Sequence, residues 1–368
     1  MLVNRGSSHE ARYRARQEAL WQLEELDGLD AFLVTEPVNC RYLSNFSGTS
    51  GHLLLTPTRA TLHTDGRYAL QSSEEVAAAE VVIVTGGLVE GIGDRLTDGM
   101  RVGFESDRLT VAAAQRLREA HHQVSWRPVE SAVEQLRKSK DDSEIADITK
   151  AVKIAESALA EALSGPVSGR TELELAGSVE ECLRRFGSVG IAFEPIVASG
   201  IRGALPHARP SQRAIRSGEL LTIDIGSVHL GYHADLTRTY AVGDPPTECR
   251  EWFSVIEVAI GEAMDAMAPG RPCGEIDHAA RRAIEDAGYG EYFVHNLGHG
   301  LGLEVHEEPR LARGNTDVLE AGMVVTVEPG IYVPGVGGIR IEEDVVITAR
   351  GAELLSSAPR ELDAFGLM

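Results

Sequence analysis

Two β-rich segments constrain this chain more than anything else in it. Each folds back across a Gly-bearing turn, and each carries two acids inside apolar runs. The first is LLTIDIGSVHLGYHADLTRTYAV (220–242). A turn centred between His229 and Leu230 sets Asp224 opposite Asp235. The second joins VVTVEPG (324–330) to YVPGVGGIRIEEDVVIT (332–348), and a turn centred on Gly335 sets Glu328 opposite Glu342. Residues opposed across an antiparallel pair share a face at about 5 Å. Two carboxylates so placed repel, and apolar surroundings raise the cost further. A shared cation removes both problems.

Histidines gather in similar Gly-rich sequence. In FVHNLGHGLGLEVHEEP (293–309), His295 and His299 lie four apart without the Glu of an H-E-x-x-H helix, and Gly298, Gly300 and Gly302 argue against a helix altogether. Glycines so spaced suit backbone packed closely against a site. His306 follows, and His207 stands in ALPHARP after the Gly-bearing VASGIRG. Four carboxylates and one neutral imidazole balance the charge of two divalent cations. An oxygen-rich set without thiolate favours Mn2+, with Co2+, Zn2+ and Fe2+ compatible. Two such ions about 3.5–4 Å apart share a hydroxide and polarise a carbonyl, which is hydrolytic chemistry.

The rest of the chain is consistent with a globular enzyme. Its 35 Lys+Arg against 56 Asp+Glu leave a net charge of −21, which argues against nucleic acid or an anionic membrane as partner. Cys40, Cys182, Cys249 and Cys273 are scattered without a C-x-x-C pair. No run reaches the roughly 18 apolar residues of a membrane span. The charged opening MLVNRGSSHEARYRARQEAL lacks a signal-peptide core, so the expectation is a cytoplasmic protein with unpaired thiols. A length of 368 residues suggests two domains.

The pattern along the chain fits an α/β (α+β) architecture. An opening helix carries Leu20, Leu23 and Leu26 and stops at Asp27-Gly28. Strands are expected at 31–35, 52–56, 60–64 and 81–85, and a helix at 111–123. The stretch 131–163 contains no Gly or Pro, and its charge cluster RKSKDDSE (137–144) reads as a solvated turn between two helices. This places an N-terminal α/β domain over 1–133, a helical linker over 134–145 and a second domain over 146–368. Further helices are expected at 172–185, 250–267 and 274–286, interleaved with Gly-rich β segments at 191–209, 219–242, 293–307 and 322–348.

The motifs D-I-G…H-A-D-L-T-R-T, G-H-G-L-G-L-E-V-H-E, T-V-E-P-G-I-Y and G-I-R-I-E-E resemble the pita-bread metallopeptidases, and among them the Xaa-Pro peptidases, prolidase and aminopeptidase P. NCRYLSNFSGTSG (39–51) and TDGRYALQ (64–71) resemble the creatinase-type domain that precedes the catalytic domain in these enzymes. The resemblance implies metal ligands Asp224, Asp235, His299, Glu328 and Glu342, with Asp235 and Glu342 bridging the two ions. It implies attack by a bridging hydroxide, proton relay by Glu328, and substrate contact and intermediate stabilisation by His207 and His306. His295 and Arg340 match positions lining the substrate pocket, and Thr237 and Thr326 are expected to bond the ligating carboxylates.

The implied substrates are proline-containing peptides, and the implied assembly a homodimer or homotetramer. The bond before proline lacks an N–H, so a peptidase that grips that hydrogen loses a contact, whereas metals on the carbonyl do not need it. Arg310, four residues after His306, is a candidate for a dipeptide's carboxylate. Competing readings are methionine aminopeptidase specificity, a metal-free creatinase-like amidinohydrolase and a non-catalytic pita-bread binding module. The last two lose metal ligands, and all five positions are intact here.

Overall fold

Apolar runs bounded by turn residues become the strands of two separate units, Met1–Arg137 and Lys138–Met368. The computed structural model describes residues 5–368, with side chains from residue 9 onward.

The first unit is built on a six-stranded mixed sheet in the order Glu80–Val84, Arg59–Asp65, Gly51–Thr56, Ala31–Val34, Arg101–Glu105, Ser125–Val129. The central strand, AFLV, is buried throughout, as a strand covered on both faces must be. It pairs antiparallel with one neighbour (Leu33 opposite Leu54) and parallel with the other (Leu33 opposite Phe104). Leu117, from the helix Val111–Ala120, packs onto the same core. The opening helix differs from expectation. It ends at Leu20, and Leu23 and Leu26 belong to a separate 3-10 turn, Glu24–Leu26, and the residue before it. A spacing of three suits a 3-10 turn as well as an α-helix.

The second unit holds its helices against antiparallel sheets. A three-stranded sheet runs Leu236–Val242, Glu219–Ile225, Ile196–Ser199, and a five-stranded one runs Glu307–Leu311, Gly298–Gly300, Val324–Val327, Glu343–Thr348, Gly351–Leu354. The helices Asp142–Ala162 and Glu172–Arg185 each start with a capping box, Asp141 with Glu144 and Thr171 with Glu174. Trp252, Ile256 and Ile260 of the helix Thr247–Ala266 and Ile276 and Ile284 of Cys273–Asp286 share one apolar core with Val325, Ile339, Ile341 and Val345.

The charge cluster at 137–144 does join two helices, Ala132–Arg137 and Asp142–Ala162, but it is solvated only in part: Asp141, Asp142 and Ser143 are exposed. Arg137, Lys140 and Glu144 are all buried, each with a polar partner: Asn39 for Arg137, Glu307 for Lys140, and Tyr232 for Glu144. All four cysteines are buried free thiols. Among the described residues, no helix is long and apolar enough to cross a membrane.

Candidate metal centre

The second hairpin takes the register expected from a turn at Gly335. Gly330 faces Arg340 on one side of the acids, and Val327 faces Glu343 on the other. The two ladders continue each other, and Glu328 and Glu342 occupy the interruption between them. There the backbone turns to other partners: the N–H of Glu328 donates to the Leu297 carbonyl (2.8 Å), and that of Glu342 to the Thr237 carbonyl (3.0 Å).

The first hairpin corrects its expected register. Asp224 pairs with Thr237, not Asp235. The turn is centred between Leu230 and Gly231, whose φ values of 46° and 81° are the left-handed pair of a two-residue hairpin. Moving the register by two leaves every side chain on its original face, so Asp224 and Asp235 remain on one face, as diagonal neighbours. Asp235 sits just before its strand, its backbone N–H held by Asp344 Oδ2 at 3.1 Å.

His299 is the middle of the short strand Gly298–Gly300. A Cβ on Gly298 would lie 1.9 Å from the Thr326 carbonyl oxygen, and one on Gly300 2.4 Å from that of Glu308. The flanking glycines therefore let this strand press against both neighbours. The Nδ1 of His299 lies 3.0 Å from the Gly300 carbonyl, which fixes the proton on that nitrogen and leaves the Nε2 lone pair facing the acids. Nε2 is 3.5 Å from Glu328 Oε1 and 3.7 Å from Asp235 Oδ2. Burial pulls the imidazole down to about 4, so the ring is neutral at physiological pH, as a ligand must be.

Asp235, His299 and Glu342 each present one donor atom within 4.8 Å of the others. Glu328 stands beside His299. Asp224 leans away, taking a 2.6 Å bond from Arg340 Nη2, while its Oδ1 is buried with no hydrogen-bond partner. Burial first, and neighbouring carboxylates second, push Asp235 and Glu328 well above the usual carboxylate range and Glu342 up to about 7. Buried acids of one sign, with an orphaned oxygen and a neutral imidazole aimed among them, have the donor chemistry of a divalent-cation site, and the residues fit such ions.

Supporting bonds surround the acids. The Thr237 hydroxyl donates to Glu342 Oε2 (2.7 Å) and accepts from Arg340 Nε (3.1 Å). Thr326 Oγ1 accepts from the His299 N–H (3.1 Å) and lies 3.4 Å from Glu328 Oε1. Beside the acids opens a cavity of about 480 Å3, lined by His207, His295, His306, Arg310 and Arg340 among others. His207 is exposed, on the loop after Gly200–Ala204. The His306 ring stands edge-on to His299 at 4.3 Å.

Three residues that sequence reading missed complete the surroundings. The Tyr332 hydroxyl links His295 Nε2 (2.9 Å) to Arg340 Nη1 (2.8 Å). Asp344 holds Asp235 from behind. Fully buried Arg238 binds the Thr237 and Glu342 carbonyls and the Glu343 carboxylate. One signal was available: an Arg amid an apolar strand needs a buried anion.

Such a centre, set on twin antiparallel hairpins beside a cavity that carries histidines and arginines on its wall, defines a metal-dependent hydrolase. The chain belongs to metallopeptidase family M24, which residues 146–349 match, and residues 16–139 match the creatinase/prolidase N-terminal domain. It is 36% identical to the Xaa-Pro dipeptidase of Pyrococcus furiosus, over 95% of this chain and 99% of that one. Among solved structures, the Xaa-Pro dipeptidase from Bacillus anthracis superposes with a TM-score of 0.91 at 38% identity, covering 95% of this chain and 99% of that one. The X-Pro aminopeptidase from Thermotoga maritima superposes at 0.85 with 37% identity, covering 92% and 98%.

Proposed function

We propose that this protein hydrolyses the peptide bond before proline in di- or oligopeptides, with two divalent cations held by Asp224, Asp235, His299, Glu328 and Glu342. The observation that carries the reading is the convergence of Asp235, His299 and Glu342, with Glu328 beside them and an unpartnered oxygen on Asp224. Mn2+ suits four carboxylates and one imidazole; Co2+, Zn2+ and Fe2+ are the alternatives. When bound, the ions polarise the scissile carbonyl and acidify water.

The chain's own residues do the rest. Glu328, with its proton affinity raised by burial, takes a proton from the attacking water and delivers it to the departing proline nitrogen. That nitrogen has no hydrogen of its own and leaves only when protonated. His207 and His306, at the cavity wall, bond the substrate carbonyl and the charge that develops on it. His295 and Arg340 line the pocket. Arg310 takes the free carboxylate of a dipeptide. The reading includes a cytoplasmic location, consistent with the free thiols, and a homodimer or homotetramer.

The test offers Gly-Pro, Gly-Pro-Xaa and Met-Ala-Ser peptides to Mn2+-loaded protein. Cleavage of the proline peptides is the expected result; cleavage of Met-Ala-Ser alone would overturn it. The dipeptide-to-tripeptide ratio separates dipeptidase from aminopeptidase specificity.

A further inference from the structure

Lys140 belongs to the charge cluster that sequence reading assigned to a solvated turn, yet its side chain is 1% exposed. Its Nζ lies 3.1 Å from Glu307 Oε2, whose side chain is 6% exposed, and 3.2 Å from the Lys138 carbonyl. The backbone on both sides of the pair is fixed. The Lys140 N–H donates to the Gly322 carbonyl (2.8 Å), and Ser139 bridges Met323. Glu307 Oε1 accepts the Glu304 N–H (3.0 Å), closing a tight loop over 304–307. Gly302 lets that carboxylate approach, since a Cβ there would lie 2.7 Å from Glu307 Oε2.

That loop carries His306, which lines the cavity and touches the His299 ring edge-on. Among the described residues no hydrogen bond holds the His306 imidazole, so no polar partner fixes the ring and its aim follows the backbone of the loop that carries it. A buried ion pair contributes little net stability, because desolvating both charges offsets their attraction. Its best-attested value is to select one conformation over others. We propose that Lys140 and Glu307 form a positioning pair that fixes the 304–307 loop and so aims His306 at the substrate. The proposal rests on the Xaa-Pro peptidase reading.

The test is a double-mutant cycle on Mn2+-loaded protein with Gly-Pro as substrate, using Lys140→Met and His306→Ala. Mn2+ affinity is measured alongside by calorimetry on the metal-free protein. Lys140→Met should lower kcat at least tenfold in the wild-type background and less than twofold in the His306→Ala background, with Mn2+ affinity changed less than twofold in both. Lys140→Arg, which keeps the charge, should recover most of the loss. Equal losses in both backgrounds would overturn the proposal, and so would unchanged kcat in Lys140→Met. If Lys140→Met does not fold, Glu307→Gln enters the same cycle with the same criteria. Failure of the underlying reading shows separately, as wild-type protein that does not cleave Gly-Pro.

Discussion

Replacing Thr237 by Val should weaken metal binding while leaving the fold intact. The hydroxyl is fully buried, donates to Glu342 Oε2 at 2.7 Å and accepts from Arg340 Nε at 3.1 Å. Val keeps the shape and suits a strand, and the strand's backbone pairing with Asp224 does not involve the side chain. What is lost is the bond to a carboxylate that must be ionised to hold a cation, together with the acceptor for Arg340 Nε. Hydrogen bonds to charged groups contribute about 1.5–3 kcal/mol, and about 1.4 kcal/mol is tenfold in affinity. Mn2+ should therefore bind Thr237→Val on the order of 10- to 150-fold more weakly. The assay is calorimetric titration of Mn2+ into metal-free protein at pH 7.5, with Thr237→Ser as the control that restores the bond. Glu342 is already pushed up to about 7, by burial and then Asp224. The defect should grow as the pH falls through 7, where protons compete with the metal. Binding within twofold of wild type, or a defect independent of pH, would refute the argument.

Glu342→Gln should abolish turnover yet stabilise the metal-free protein at pH 8. The folded chain keeps the Glu342 proton up to about 7, whereas the unfolded chain releases it near 4.5. The folded state therefore binds more protons in that window, and stability present below 4.5 is lost as pH rises towards 7. Removing the charge should recover up to about 3 kcal/mol by calorimetry; a lower melting temperature at pH 8 would contradict this. Gly298→Ala should destabilise the protein by about 3 kcal/mol or more, because its Cβ would lie 1.9 Å from the Thr326 carbonyl oxygen. An unchanged melting temperature would show that the strands part easily. Arg310→Met should raise KM for Gly-Pro at least tenfold and leave KM for Gly-Pro amide unchanged; equal effects on both would remove Arg310 from carboxylate capture.

How far the site was legible in the sequence depended on how local each determinant is. The second hairpin was readable because Gly335 centres its turn, and that register carries through both ladders. The first was misplaced by two residues because Leu230 adopts a left-handed φ, which favours Gly or Asn over a branched side chain. The error left the acids on one face only because a strand's period is two. The glycines around His299 were legible as close-approach positions, since no other residue fits there. The bond from Arg340 to Asp224 spans 116 positions, and nothing local announces it. Lys140 looked like an ordinary charged residue, and the apolar strand around Arg238 announced a buried anion without naming it, because each cation's partner lies more than 100 residues away.

Titrating metal-free protein with Mn2+ while following Gly-Pro cleavage tests the central claim most directly. The account expects no cleavage without metal and activity that rises to a plateau at two equivalents. It also expects Asp235→Ala and Glu342→Ala to stay inactive at any metal concentration. Cleavage that persists in chelator, or full activity in either variant, would contradict it.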